Sequence, residues 1–290
     1  PPPPPPPPSK KFFFNDTATT ENYPRLDSSA ASDVYKRQVY AGVDVGASRT
    51  KVAILNADAR LLGYHIKKSG TDFKATADFC LGTALQMAGA ARADIVKTVS
   101  TGYGRKNVSF SDESKTEIGC HARGCYLYYP MAITIIDIGG QDNKVIKLND
   151  KGRRIGFKMN RKCSAGTGAF LEEMSPRLDI PLQEMDGLAR QSTDMVKLGS
   201  FCTVFSATEV LENIRNGKKV SDIVKGLFYS VIKRVIEMDA FTENVVMTGG
   251  VVAHNPYLVT MTEDYIGQKI LVPEHPQLTG AIGAALYAME

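Results

Sequence analysis

Alternating apolar and polar positions divide the chain into short strands and helices from residue 39 onwards. Two apolar segments separated by a polar, glycine-containing turn occupy residues 39–56, and a third follows at residues 61–66. Short apolar segments bounded by Gly, Asn and Asp are typical of strands joined by tight turns. The pattern therefore predicts three consecutive strands at this point of the chain.

Further along, continuous apolar runs predict strands, and apolar residues at helical spacing predict helices between them. The predicted strands span residues 95–100, 133–138 and 245–247. The predicted helices span residues 75–91, 117–124, 168–175, 181–188, 201–214, 220–240 and 280–289. Ser221 is the predicted N-cap of the helix that begins near residue 220, because its hydroxyl can accept a hydrogen bond from an unpaired backbone amide. Strands alternating with helices indicate an α/β protein.

Two parts of the chain repeat each other at a separation of 93 residues. Eight positions within a 20-residue window are identical, and they include the turns. The identical pairs are Asp44 and Asp137, Gly46 and Gly139, Lys51 and Lys144, Val52 and Val145, Leu55 and Leu148, Asn56 and Asn149, Arg60 and Arg153, and Gly63 and Gly156. An internal repeat indicates a duplicated structural unit. We therefore expect two similar α/β domains, each with one turn that faces phosphate.

The first 38 residues differ from the rest. Eight consecutive prolines are followed by a segment with neither helical nor strand periodicity. The segment resembles translated sequencing-adapter read-through, and we expect a disordered leader that is not native. A genuine proline-rich arm is the alternative. The two predicted domains then span residues 39–129 and 130–290, with the C-terminal helix 278–290 packing back on the first.

Composition narrows the class of protein. The chain has 290 residues, 43% of them apolar, and a net charge of +4 that is spread along the sequence, which does not favour a nucleic-acid partner. No window is apolar enough for a membrane span. The five cysteines are an odd number, and no secretory signal precedes them. We therefore expect a cytoplasmic protein whose thiols are reduced or bind metal.

Three strand-then-turn segments predict a nucleotide site. Paired or single glycines after a strand expose backbone N–H groups that bind phosphate oxygens. Asp44 and Asp137 each precede such a turn and are predicted to hold Mg²⁺ through water, since Mg²⁺ keeps much of its hydration. Gln141 is predicted to position the attacking water, with a turn-stabilising role as its alternative. The predicted nucleotide-binding residues are Gly46, Ala47, Ser48, Arg49, Thr50, Lys51, Gly139, Gly140, Gln141, Glu209, Gly249, Gly250 and Val251. No Walker A motif occurs in the sequence.

Two cysteines share a local context. Cys163 and Cys202 are each predicted to lie immediately before a helix N-terminus, where the helix dipole and unpaired amides stabilise a thiolate. The simplest alternative is that each is a small buried apolar residue. An iron–sulfur cluster usually takes four thiolates, so two per subunit would complete one cluster between two subunits. A shared zinc site is a further alternative, and Cys120, His121 and Cys125 are a weaker candidate for a second metal site.

The motifs in order resemble one family over essentially the whole chain after the leader. They are GVDVGASRTK, STGYGR, EIGCHARG, IIDIGGQDNKVI, MNRKCSAGTGAFLE, CTVFSATEV, TGGVVAHN and GAIGAAL. The three turns on a duplicated unit are similar to the actin, sugar-kinase and heat-shock-chaperone ATPases. Within that superfamily, the chain resembles the activator ATPases of 2-hydroxyacyl-CoA dehydratases and the related ATPase subunits of benzoyl-CoA reductase.

The resemblance implies a fold and an activity. The fold would be two ribonuclease-H-like, actin-like domains with ATP or ADP and Mg²⁺ in the cleft between them. A homodimer would hold one 4Fe-4S cluster through Cys163 and Cys202 of each subunit. ATP hydrolysis would drive one electron to a CoA-ester dehydratase or reductase, with a ferredoxin or flavodoxin as the electron source.

This chain departs from the family pattern at several positions. Arg161 stands where Asp is usual, Ser164 where Ala is usual, and Ala169 where Arg is usual. Ala47, Ser48 and Arg49 replace a usual Ser-Thr-Thr, and Cys125 stands where Ala is common, which argues against a ligand role for Cys125. None of these changes removes a thiolate or an aspartate.

Two other functions remain open from the sequence. An amino-sugar type kinase of the same superfamily needs an Asp general base between the domains and no cluster. A non-redox ATP-dependent scaffold would use the cysteines only as core residues. Iron content distinguishes the electron-donating activator from both of these alternatives.

Overall fold

The computed structural model describes residues 38–199, 202–242 and 244–290, so the predicted leader lies outside the described residues except for its last residue. Ten strands form two five-stranded sheets in this part of the chain. The strands are β1 (Val39–Val45), β2 (Arg49–Leu55), β3 (Leu61–Lys68), β4 (Ile95–Thr101), β5 (Glu113–Ser114), β6 (Ile133–Ile138), β7 (Asn143–Leu148), β8 (Arg154–Asn160), β9 (Val245–Thr248) and β10 (Ile270–Leu271).

The two sheets have the same topology. The first sheet has the strand order β3-β2-β1-β4-β5. The second, read from its β8 edge, has the order β8-β7-β6-β9-β10, so β6 takes the place of β1. In each sheet the first three strands are antiparallel neighbours and the fourth runs parallel to the first. The predicted duplication of an α/β unit is therefore confirmed.

The repeat extends to individual hydrogen bonds. The side-chain oxygen of Asn56 accepts from the backbone N–H groups of Asp58 and Arg60. Asn149 accepts in the same way from Lys151 and Arg153. An Asn that satisfies turn amides fixes the chain reversal between the second and third strands. The identical Asn positions of the sequence repeat are explained by this turn.

Nine helices accompany the sheets in the described part of the chain. They are α1 (Phe73–Ala88), α2 (Glu117–Tyr128), α3 (Gly168–Met174), α4 (Met185–Gln191), α5 (Thr203–Arg215), α6 (Val220–Ile236), α7 (Gly250–His254), α8 (Pro256–Ile266) and α9 (Thr279–Ala288). Helix α1 packs on the first sheet, and α3, α4, α6, α7 and α8 form the largest core with the second.

Helices α2 and α9 connect the two sheets. Helix α9 packs on the first sheet, whereas α2 contributes to a core with β6 and β7 of the second. Their backbones meet directly, because a Cβ on Gly283 would lie 1.8 Å from the carbonyl oxygen of Cys120. A Cβ on Gly124 would likewise lie 2.0 Å from the carbonyl oxygen of Thr279. Glycine at both positions is required by this close approach.

Some predicted helix boundaries are wrong. Helix α6 ends at Ile236 rather than at residue 240, and its N-cap is Lys219, not Ser221. Ser221 lies two residues after the N-cap position, and its hydroxyl instead contacts Asp222. The TGGVVAHN segment, predicted only as a turn, continues into α7, and α8 begins at Pro256. Proline suits the first turn of a helix because the amide it lacks would have no helical partner there.

None of the helices in the described ranges has the length and apolar character that crossing a membrane requires.

Candidate functional site

The two repeated turns face each other across a cleft between the sheets. In the first, the N–H of Gly46 donates to the carbonyl of Arg49 over 3.1 Å, and in the second Gly139 donates to Asp142 over 2.9 Å. The turns are in contact, because a Cβ on Gly140 would lie 2.5 Å from Oγ of Ser48. Two glycine turns from two similar halves therefore close around the same space.

The third predicted turn joins them at the end of β9. The hydroxyl of Thr248 donates to Oδ1 of Asp137 over 3.0 Å, which places the turn beside the second aspartate. Gly249 has φ of +101°, and a Cβ there would lie 2.3 Å from the carbonyl oxygen of Ile138. Only glycine fits this position, so the third turn lies against the strand that carries Asp137.

The three turns line one cavity of about 400 Å³, a size that suits a nucleotide. Eleven of the predicted nucleotide-binding residues, together with both aspartates, line or border it. They are Gly46, Ala47, Ser48, Arg49, Lys51, Gly139, Gly140, Gln141, Gly249, Gly250 and Val251, with Asp44 and Asp137. Gln141 is exposed within the cleft.

Two predicted residues lie elsewhere. Thr50 is buried, and its hydroxyl pairs with that of Ser69 at 3.0 Å. Glu209 lies on α5 and accepts a hydrogen bond of 2.6 Å from the N–H of Gly199. Neither is among the residues that line the cavity.

Each aspartate is paired with a lysine from the neighbouring strand. Asp44 is opposite Lys51 in the β1–β2 register, and the two side chains form an ion pair of 3.0 Å. Asp137 is opposite Lys144 in the β6–β7 register, with an ion pair of 2.9 Å. The sequence showed Lys144 only as a repeat identity, because cross-strand pairing is invisible until the register is known.

Lys144 is fully buried and bridges three carboxylates. Its ammonium lies 2.9 Å from oxygens of Asp137, Glu117 and Asp142. Burial alone would lower the pKa of Lys144, but these three charges outweigh it and raise the pKa well above the usual value. The sequence pattern does not predict Glu117, because its place in the cleft depends on the packing of α2 against β6 and β7.

Burial also opposes ionisation of Asp137, but positive neighbours dominate. Burial would raise its pKa, whereas His121, Lys144 and Lys51 together hold that pKa below its usual range. The carboxylate therefore stays ionised at neutral pH. For Lys51, burial would lower the pKa, and the charge of Asp44 raises it instead.

His121 on α2 lies between the two aspartates. Its Nδ1 is 3.7 Å from Oδ1 of Asp137 and 3.0 Å from the hydroxyl of Thr279. A Cβ on Gly280 would lie 3.0 Å from Oδ2 of Asp44 and 3.2 Å from Nε2 of His121. The imidazole therefore lies beside Asp137, and Gly280 lies close to both this imidazole and the carboxylate of Asp44.

The second metal site weighed for His121 with Cys120 and Cys125 is not supported. Both cysteines are buried, and burial raises the pKa of Cys120 to about 12 and that of Cys125 further. Thiols that stay protonated are poor metal ligands. Over residues 38–199, 202–242 and 244–290, no group of three or more His, Cys, Asp or Glu side chains is arranged to hold a metal ion.

Cys163 and Cys202 are the two cysteines with accessible side chains in the described part of the chain, Cys163 half-buried and Cys202 exposed. Cys202 is the N-cap residue of α5, as predicted. Cys163 does not lie immediately before a helix, because α3 begins only at Gly168. It lies instead in a turn held by Asn160, whose amide donates to the carbonyl of Cys163 over 2.9 Å.

The segments of the two cysteines are joined to each other. The hydroxyls of Ser164 and Thr203 lie 2.7 Å apart, and each residue directly follows one cysteine. Helix α5, which starts at this point, exposes Val204, Phe205 and Leu211, with exposed fractions of 71%, 64% and 50%. An apolar helix face next to two accessible thiols indicates an interaction surface.

The cleft lies between two similar α/β halves, and three glycine turns of the kind that binds phosphate line it. This arrangement defines an actin-like ATPase. A ROK family glucokinase from Streptomyces griseus in complex with glucose and AMPPNP shares this fold, with a TM-score of 0.53 at 12% identity over 86% of this chain and 99% of that one. The chain belongs to the BadF/BadG/BcrA/BcrD ATPase family, whose model matches residues 41–288.

Two relatives are similar over nearly their whole length. The activator of lactoyl-CoA dehydratase from Anaerotignum propionicum is 42% identical over 252 residues, covering 86% of this chain and 96% of that protein. The structure of the activator of 2-hydroxyisocaproyl-CoA dehydratase from Clostridium difficile, with bound ADPNP, matches with a TM-score of 0.82 at 41% identity. That match covers 87% of this chain and 94% of the other.

Proposed function

We propose that this protein is an ATP-driven one-electron donor that activates a 2-hydroxyacyl-CoA dehydratase. Its family and the names of its relatives support the dehydratase as partner. The observation that carries the redox part is the 2.7 Å contact between Ser164 and Thr203, which joins the segments of the two accessible cysteines.

The donor set fits half of a 4Fe-4S cluster. Cys163 and Cys202 supply two thiolates, whereas such a cluster usually takes four. A second copy of the chain would supply the other pair around a two-fold axis. The exposed apolar residues of α5 next to Cys202 support such a homodimer, because they are the kind of surface that a partner covers.

The cleft would hold ATP and Mg²⁺ with the residues already described. Backbone amides of the two glycine turns would bind phosphate oxygens, except those of Gly46 and Gly139, which donate within the turns. Asp44 and Asp137 each already bind a lysine, so they would hold Mg²⁺ through water, which accords with the lack of a direct ligand cluster in the described residues. Gln141, exposed in the cleft, would orient the water that attacks the γ-phosphate.

The cluster would store and release one electron, and the protein would control its surroundings. Because Ser48 contacts Gly140, closure of the halves on a nucleotide acts on the second turn directly. The chain leads from that turn through β7 and β8 to Cys163 within one half. Movement of the thiolate segment changes hydrogen bonding and exposure at the cluster, and both set its potential.

The electron acceptor and source follow from the same proposal. We propose a CoA-ester dehydratase as the acceptor in preference to a reductase, since relatives of 37–42% identity are dehydratase activators. A ferredoxin or flavodoxin would reduce the cluster, in the cytoplasm. The amino-sugar kinase alternative is supported only by likeness of fold.

Anaerobic reconstitution with iron and sulfide tests the proposal. We expect about two iron and two sulfide per chain, and an EPR signal after dithionite reduction that changes with ATP. Cys163→Ala and Cys202→Ala should each lose the iron. Cys80→Ala, a control at a buried thiol, should keep it. Full iron in Cys163→Ala would contradict the cluster assignment.

A further inference from the structure

The segment that carries Cys163 is bound to the nucleotide turn at several points. The first two amides of α3, those of Gly168 and Ala169, donate to the carbonyls of Gly139 and Gly140 over 2.9 and 2.7 Å. These are the paired glycines of the second phosphate turn. The chain between Asn160 and α3 therefore ends on the loop that a phosphate would contact.

Asn143 makes the only side-chain link that the described residues show between that turn and the Cys163 segment. It follows the turn directly and is fully buried, and its amide donates to the carbonyl of Gly166 over 2.9 Å. Gly166 has φ of +81°, and a Cβ there would lie 2.8 Å from the amide nitrogen of Asn143. The amide thus occupies the space that a side chain at position 166 would need.

The sequence repeat shows what this position does in the other half. Thr50 is the counterpart of Asn143 at the 93-residue separation, and each is paired with the last residue of the first strand of its half. Thr50 binds Ser69, which follows β3, and Ser69 in turn donates to the carbonyl of Gly46. In both halves, therefore, this residue binds the segment that follows the third strand. In the second half that segment carries Cys163.

Asn143 also has an unusual electrostatic position. Its Oδ1 is the one buried side-chain nitrogen or oxygen without a hydrogen-bond partner across residues 38–199, 202–242 and 244–290. Asn143 lines a depression of about 440 Å³ with Asn160, Arg161, Lys162 and Arg234. An unsatisfied buried acceptor beside donors favours a second arrangement in which it is paired.

We propose that Asn143 is the positioning residue through which the nucleotide turn sets the place of the Cys163 thiol. This inference rests on the proposed function, because a controlled Cys163 position matters for an electron donor. The contacts that support it lie within the chain and require no cluster. When a nucleotide moves the glycine turn, the start of β7 moves with it. The hydrogen bond from the Asn143 side chain to the carbonyl of Gly166 then moves the turn that contains Cys163. Nucleotide binding then changes the exposure of Cys163.

The test measures alkylation of Cys163 in the full chain after iron has been removed by a chelator. The rate is followed by mass spectrometry, with and without Mg²⁺ and ADPNP, and nucleotide affinity is measured in parallel. For the natural sequence, we expect the nucleotide to change the Cys163 rate by about threefold or more, which is within what one hydrogen bond can bias. In Asn143→Ala, the rate ratio should fall close to one while nucleotide affinity is kept.

Two further variants make the result decisive. Asn143→Thr introduces the residue type that Thr50 has at the equivalent position of the first half, so it suits the strand. It should also lose the nucleotide effect, because the Thr side chain is too short to reach the carbonyl of Gly166. Asn244→Ala is the matched control, since its amide donates to the carbonyl of Ala132 in the same half. It should behave like the natural sequence.

A nucleotide effect that persists in both Asn143 variants overturns the inference, and so does its absence from the natural sequence. The reconstituted iron content is a separate measurement. Loss of the nucleotide effect in the Asn143 variants of a protein that binds no iron would support the positioning role and refute the electron-donor function.

Discussion

Lys144 sets the charge balance of the cleft at the scale of single residues. It is the buried cation at which the carboxylates of Asp137, Asp142 and Glu117 meet, and α2 contributes the last of these. The sequence predicted both aspartates and the glycine turns, because those signals are local. It missed Glu117 and the roles of His121 and Lys144 in the cleft, because the proximity of these residues depends on strand register and on the packing of α2.

Lys144→Met should destabilise the protein by about 3–5 kcal/mol at pH 7, because it leaves buried carboxylates without their cation. In the natural protein the pKa of Asp137 is held below its usual value. The ionised Asp137 therefore adds to the free energy of unfolding above pH ~4, and this contribution is lost as pH falls. Without Lys144, burial favours the protonated carboxyl. The deficit in unfolding free energy, measured with urea, should therefore be smaller at pH 5 than at pH 7.

Lys51→Met is the matched control for this measurement. Lys51 is partly exposed and pairs with one carboxylate, so its deficit should be smaller. An equal deficit for Lys144→Met at both pH values would contradict the charge argument.

The thiols provide a second prediction at this scale. Brief alkylation of the native, iron-depleted chain at pH 8 should modify Cys163 and Cys202 and leave Cys80, Cys120 and Cys125 intact, because burial raises the pKa of Cys80 to about 11 and that of Cys120 to about 12. Peptide mass spectrometry gives the outcome. Modification of Cys120 at the rate of Cys202 would show that the α2 core opens readily.

At the scale of elements, the contact between α2 and α9 decides how the two halves are joined. The sequence predicted both helices but not their contact, which joins residues more than 150 positions apart. It also missed α8, for which the sequence analysis predicts no element and which begins at Pro256. Helix α3 begins at Gly168 as predicted, so the prediction that Cys163 lies immediately before a helix is wrong, and Asn160 holds the turn between them.

Gly283→Ala should destabilise the protein by about 1–3 kcal/mol or more, because the new methyl group would lie on the backbone of Cys120. Gly82→Ala in α1 is the matched control. A Cβ at position 82 meets no atom within 4 Å, and alanine favours a helix, so this variant should be more stable by about 0.5–1 kcal/mol. Thermal unfolding measures both. Equal effects of the two substitutions would contradict the described contact.

At the scale of the whole molecule, the proposed homodimer requires a surface that one chain leaves uncovered. The sequence repeat predicts the duplicated fold. It does not predict which side chains of α5 are exposed, because that depends on which side of the helix packs against the core. Val204, Phe205 and Leu211 form that face beside Cys202. Burying such side chains in a dimer is favourable by about 25 cal/mol per Å² of apolar surface.

Phe205→Glu should convert the dimer to a monomer and remove most of the reconstituted iron, because a charge would enter the apolar contact between copies. Light scattering gives the mass and a colorimetric assay gives the iron. Phe79→Glu is the control, since Phe79 is exposed to 51% on α1 in the first half. A Phe205→Glu protein that stays dimeric would place the interface elsewhere.

The backbone contact between α2 and α9 has a mechanical consequence. The two helices meet backbone to backbone at glycines, and side chains also link them: His121 to Thr279 by a hydrogen bond, and Arg123 to Glu290 by an ion pair. The side-chain links hold the helices together, while the glycines leave no bulky side chain between the two backbones that would have to rearrange when one helix slides by a small amount along the other. Opening and closing of the two halves would then proceed as a small sliding rotation about this joint, with the imidazole of His121 close to the pivot.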